Sequence, residues 1–186
     1  MTSNTLVIKR EPLSIKKQTL ATLLAIITAV ALPQLFHLLG IISGTGKILG
    51  VLFSPMHLPI IFVGLIAGPY AGAISGLLAP AVSSLLTGMP NGLSLPLMMA
   101  ELFGYGLTAG LLRNINISNV VKVLIVQIAG RVLRMLGCFA LVYVFAKSGV
   151  ELFGAWTGVM RCWPGVVLQL VLIPVVIRWV DNSEGV

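Results

Sequence analysis

Charge is what this sequence has least of. Only 9% of its 186 residues are Asp, Glu, Lys or Arg, against about 25% in a soluble domain. A chain so poor in charge cannot cover a water-facing surface, which excludes an ordinary soluble globular fold. Histidine and cysteine are scarce too, with two of each. They form no metal-ligand cluster and no zinc-protease helix, and no nucleophile elbow is present. Cys138 and Cys162 both fall in long apolar stretches, where cysteine acts as a small buried apolar residue far more often than as a disulfide half or metal ligand. An ATP-binding loop is also missing. Residues 40–47 read GIISGTGK, but the spacing is one residue too long and Ile48 stands where a phosphate loop needs Ser or Thr. No cofactor is expected.

What the sequence has in quantity is hydrocarbon, with 58% of residues hydrophobic. Residues 20–39 contain no formally charged side chain, and residues 132–145 contain only Arg134. A helix of about 20 apolar residues crosses the hydrocarbon layer of a bilayer. The sequence therefore predicts an all-α, polytopic membrane protein, a single transmembrane domain over 1–186 with 1–16 as a short cytoplasmic segment. Six spans fit, over 17–39, 56–67, 70–86, 95–112, 120–146 and 153–180. Residues 43–54 read as a polar, glycine-containing connection. Gly68-Pro69 reads as a turn, because proline disfavours helix at the residue before it. Residues 87–92, Thr-Gly-Met-Pro-Asn-Gly, read as a turn-rich loop.

Lys and Arg set the orientation, since cytoplasmic loops carry an excess of them. With six spans both termini share a side. Lys9, Arg10, Lys16, Lys17, Arg113, Lys122 and Arg178 then lie together, and only Lys47 and Lys147 lie opposite. Both termini are predicted to be cytoplasmic. The first apolar run is too long for a cleaved signal peptide, so it reads as a retained span. The net charge of +7 reports topology, because it is not clustered on a soluble face as nucleic-acid binding requires.

Two small-residue ladders stand out. Gly64, Gly68, Gly72 and Gly76 recur every four residues, as do Ala21, Ala25 and Ala29. In lipid, small residues at this spacing let helix backbones approach closely. The glycines read as tight packing within the bundle. The alanines lie on the first span, where a flat stripe can pack internally or dock another membrane subunit.

An ionisable group inside a span is expensive and faces a bundle interior or water. Glu101 and Arg161 fall in the outer parts of the fourth and sixth spans, and Arg131 and Arg134 in the fifth. Gln127, Arg131 and Arg134 share one helical face by their spacing, as do Arg161, Gly165 and Gln169, and also Glu101, Tyr105 and Thr108. Three such stripes can converge on one polar site. Glu101 can simply neutralise one arginine, but three guanidinium groups face one carboxylate. The surplus needs carbonyl oxygens, water or an anionic ligand, and Arg134 or Arg161 is expected to receive an acidic or carbonyl oxygen of a small ligand. His57, in Pro55-Met56-His57-Leu58-Pro59, is placed to line an outer pocket with Asn91 from the 87–92 loop. His37 is expected to face the membrane interface. Trp156 and Trp163 read as membrane-belt residues more readily than as a pocket wall. A small intramembrane enzyme using Glu101 and His57 as acid and base is the alternative in another class, though those types at that spacing are unspecific.

Several stretches resemble a known family. They are Pro55-Met56-His57-Leu58-Pro59, Gly68-Pro69-Tyr70-Ala71-Gly72, Pro80 with Ser83 and Ser84, Thr87-Gly88-Met89-Pro90, and Glu101-Leu102-Phe103-Gly104-Tyr105-Gly106. Together with size and span count they resemble the substrate-binding S-components of energy-coupling factor (ECF) vitamin transporters, over essentially the whole chain. The resemblance implies a non-enzymatic subunit of a prokaryotic plasma membrane that binds a small water-soluble vitamin or precursor on its outer side. Pantothenate, a folate, a pyridoxine-like compound or a pyrimidine would fit, and the arginine surplus tilts the choice toward a carboxylate. It also implies docking, through Ala21, Ala25 and Ala29, onto a transmembrane coupling subunit that works with two ATPase subunits. The expected substrate residues are His57, Asn91, Glu101, Arg134 and Arg161, and the connection over 43–54 is the expected gate.

Overall fold

A computed structural model of the chain describes residues 11, 13–46, 48–90, 92–144 and 154–183, with the backbone alone at 154–159, 161 and 183. The described residues form the helices α1 (Ile15–Ile42), α2 (Ile48–Phe53), α3 (His57–Ala67), α4 (Pro69–Thr87), α5 (Ser94–Leu112), α6 (Asn119–Phe139) and α7 (Gly154–Ser183), and include no strand. The chain continues from α6 into a wider π-helical turn over Ala140–Val144. Among the described residues six stretches are long and apolar enough to cross a bilayer: Ile15–Ile42, Ile48–Ala67, Pro69–Thr87, Ser94–Leu112, Asn119–Val144 and Cys162–Asn182. This is a multi-pass membrane protein. Its outward surface agrees, since Leu23, Leu24 and Ile27 of α1 and Val167, Val171 and Val175 of α7 are all exposed, as lipid-facing side chains are.

The helix ends follow local chemistry. Gly68 closes α3 at φ 106, a conformation that favours glycine, and Pro69 begins α4 at the one helical position where its missing N–H is no loss. Gly88, at φ 73, caps α4 and donates its N–H to the Ser84 carbonyl. The Ser118 hydroxyl caps α6 by accepting from the Val121 N–H at 3.3 Å. In α7 the helical geometry breaks at Cys162, two residues before Pro164. A proline removes a backbone bond and clashes with the preceding turn, so a break at this place has an identifiable cause.

Helix α5 is the centre of the bundle and packs on α3, α4 and α6. Its approach to α4 is backbone to backbone. A methyl group added at Gly72 would collide with the Gly106 backbone, and one at Gly106 with the Gly72 backbone. Gly76 meets the Leu102 carbonyl in the same way, and Gly64 of α3 closes on Gly106 and Ala109. The glycine ladder is therefore internal packing, as its spacing predicts, except that Gly68 serves to end a helix. Tyr105, Ile60, Ile61 and Leu102 fill the core around it.

The largest departure from expectation lies between the first and second long spans. The 43–54 stretch was expected to be a polar connection, yet it contains α2. The run Ile48-Leu49-Gly50-Val51-Leu52-Phe53 has five apolar side chains and enough of a helical surface to pack. The Phe53 ring lies 5.4 Å from that of Phe36 on α1, and the Leu52–Phe53 backbone rests on Gly165 of α7. His37 is consequently covered. Its ring sits against Gly50 of α2 rather than at an open interface.

Candidate functional site

Helices α3 and α5 start, and α1 and α6 finish, at one end of the bundle. Near that end the predicted polar stripes meet. Glu101, in the first half of α5, accepts from Tyr105 Oη through Oε1 at 2.8 Å and from Arg134 Nη1 through Oε2 at 2.7 Å. Arg131 Nη1 lies 3.6 Å from the same Oε1. From there the network crosses to α7: Arg131 Nη2 donates to Gln127 Oε1 at 3.2 Å, and Gln127 Nε2 donates to Gln169 Oε1. Arg131 Nη2 also lies 4.0 Å from Cys162 Sγ, beside the break in α7.

The position of each member has a local cause. Spacing of four along α5 brings Tyr105 back onto Glu101, and the Tyr105 ring presses on Gly130 of α6, where a methyl group would have no room. Gly130 thus lets α6 come close enough for its arginines to reach the α5 carboxylate. His57 opens α3 after a tight turn in which Ser54 adopts φ 42. Its Nδ1 lies 2.8 Å from the Ser54 carbonyl oxygen, an acceptor, so Nδ1 carries a hydrogen there. The His57 ring meets Tyr105 edge-on, with centroids 5.2 Å apart. One connected path therefore runs from α3 through α5 and α6 to α7.

Burial within this network is uneven. The Glu101 and Arg131 side chains are 5% and 9% exposed, whereas that of Arg134 is 29% exposed. Two guanidinium groups serve one carboxylate, leaving one positive charge in surplus among the described residues. The cluster can neutralise most of its own charge, and it presents a cation edge to whatever reaches Arg134.

Of the expected substrate residues, His57, Glu101 and Arg134 are brought together. Asn91 and the Arg161 side chain lie outside the described residues, as do the Trp156 side chain, Lys9, Arg10, Lys47 and Lys147. Tyr105, Gln127, Arg131 and Gln169 belong to the network although the expected site left them out. Their signal was the helical spacing itself, since all four sit on the polar stripes. Thr108, the last residue of the α5 stripe, makes none of these contacts. Trp163 is exposed on α7, as a belt residue is. The two cysteines are free.

A second feature is a groove of about 590 Å³ between α1 and α7, floored by α3. Ala21 and Ala25 line it together with Leu24, Phe62, Val63 and Leu172, and its walls are almost wholly apolar. The alanine stripe is divided by this geometry. Ala21 is half-buried, Ala25 is buried against Val63, Ala67 and Ala71, and Ala29 is fully buried in the core. Only the first two reach the groove, and Ala29 is spent on packing inside the bundle. Compared with known proteins, the chain matches no family model, no curated protein and no solved structure.

Proposed function

We propose that this protein is the substrate-capturing membrane subunit of an ECF-type transporter. In this reading it binds a small water-soluble vitamin or precursor at the outer face of a prokaryotic plasma membrane. The observation that carries the reading is the Glu101–Arg134–Arg131 cluster. A bundle this apolar keeps charge within its spans only where something compensates for the cost, and here one arginine stays reachable. The orientation follows from charge. Lys16, Lys17, Arg113, Lys122 and Arg178 belong to the opposite end, where Arg113 Nη2 donates to the Glu11 carbonyl at 2.8 Å. The positive-inside rule makes that end cytoplasmic and the cluster end outer.

Energy for uptake would come from partners. The apolar groove beside Ala21 and Ala25 suits a transmembrane coupling subunit, which would carry two ATPases. The short α2, resting on Gly165 and leading into His57, is the natural gate over the cluster. The alternative of Glu101 and His57 as a catalytic acid–base pair is less well supported. Both Glu101 oxygens already accept hydrogen bonds, His57 Nδ1 is tied to the Ser54 carbonyl, and Tyr105 lies between the two residues.

The test is to purify the full chain from its native membrane in mild detergent and identify small molecules released on denaturation by mass spectrometry. A vitamin or precursor in near-stoichiometric amount is expected. A turned-over product would point to an enzyme, and a protein that never carries a ligand would point to a structural subunit.

A further inference from the structure

We infer that the ligand is an anion, and that its carboxylate is received by the edge of Arg134 that Glu101 leaves unused. The inference rests on the capture reading and specifies its substrate class.

The argument begins with the charge count. Among the described residues the cluster holds Arg131 and Arg134 against Glu101, a surplus of one. Arginine cannot shed its proton to escape the cost, because its guanidinium stays charged in proteins. A lone positive charge in a membrane interior is therefore compensated by a counter-charge or by water.

Geometry then selects the residue. Arg131 is buried and spread over Glu101, Gln127 and Cys162. Arg134 contacts Glu101 through Nη1 alone among the described residues, and its side chain is the most exposed of the charged trio. A guanidinium offers five N–H donors in a rigid fork that matches a carboxylate in two-point contact. A neutral ligand would leave the surplus charge in place, and a cationic one would add to it. An anion cancels it. The polar amides Gln127 and Gln169 add orientation but no charge, and Arg131 is already engaged, so the sign of the ligand falls to Arg134.

The same chemistry is offered by a lipid phosphate, since Arg134 lies toward one end of its span. The experiment must separate the two. The full chain, purified in a phospholipid-free detergent, is titrated by calorimetry with the carboxylates pantothenate, biotin, nicotinate and folate. The uncharged counterparts panthenol, biotin amide and nicotinamide are titrated alongside, together with pyridoxine and thiamine. At least one carboxylate is expected to bind, with its uncharged counterpart weaker by about 10-fold or more, the loss that accompanies a missing hydrogen bond to a charged group. Arg134→Gln should bring the two within about threefold of each other. Arg134→Lys keeps the charge but not the fork, so it should keep the discrimination with weaker binding. It also decides the matter if Arg134→Gln fails to fold.

Selective binding of pyridoxine, thiamine or an uncharged counterpart overturns the inference and leaves the capture reading standing. Binding of no carboxylate overturns it too, and when joined to an absence of any copurified small molecule it removes the capture reading as well. An Arg134-dependent phospholipid adduct in native mass spectra of protein extracted with its lipids, in place of a bound carboxylate, assigns the edge to lipid and overturns the inference.

Discussion

The α4–α5 interface and the α6–α7 interface join neighbouring spans by opposite means. Between α4 and α5 the contact is made by glycines, with Gly72 against Gly106 and Gly76 against the Leu102 carbonyl. No side chain there can be exchanged for another arrangement. Between α6 and α7 the contact runs through polar side chains, from Gln127 to Gln169 and from Arg131 to Cys162. Backbone contact fixes a geometry once. Polar side chains can trade one partner for another, including a ligand's atoms. The bundle thus has a rigid half that sets positions and a half whose bonds are available for recognition, with Glu101 and Tyr105 of α5 standing at the border between them.

The comparison can be broken most severely at the glycines. Gly72→Leu or Gly106→Leu should leave no properly folded protein. Overpacking costs about 1–3 kcal/mol where side chains can shift, and here the obstacle is backbone. Recovery of a monodisperse peak in size-exclusion chromatography checks this, and wild-type recovery would show that the two helices are free to separate. Next in size is Glu101→Gln, which strips buried Arg131 and half-buried Arg134 of their shared counter-charge. Removing one partner of a buried ion pair costs about 3–5 kcal/mol, so the unfolding midpoint in detergent should fall clearly. The smallest effect is expected at the polar seam. Gln127→Leu or Gln169→Leu should lower stability by about 0.6 kcal/mol and at most about 1.7, as for hydrogen bonds between membrane helices generally. If the seam serves recognition, ligand affinity in these variants should suffer more than stability does.

Much of this was legible in the sequence, for a physical reason. The bilayer demands long apolar runs and internal backbone bonding, so spans announce themselves by composition. The third span was expected over 70–86 and is found at Pro69–Thr87, and the fourth, expected over 95–112, is found at Ser94–Leu112. The stripes on α5 and α6 were legible because helical spacing fixes which residues share a face. Two things were not. Helix α2 is six residues long, too short for periodicity to register, and its existence depends on Phe36 and Gly165 from distant parts of the chain. The division of the alanine stripe was hidden as well. Spacing places Ala21, Ala25 and Ala29 on one side of α1, but only packing against α3 and α4 decides how deep each one lies.

The distance along the chain between Glu101 and Arg134, 33 residues, has a consequence for biosynthesis. At about 5–20 residues per second, the carboxylate leaves the ribosome roughly two to seven seconds before the guanidinium that neutralises it. During that interval α5 carries an uncompensated charge that resists entry into hydrocarbon, with acidic residues costing about 2.5–3.5 kcal/mol at a span centre. The favourable course is for α5 to wait at the translocon and enter the membrane with α6 as a hairpin, its ion pair already made.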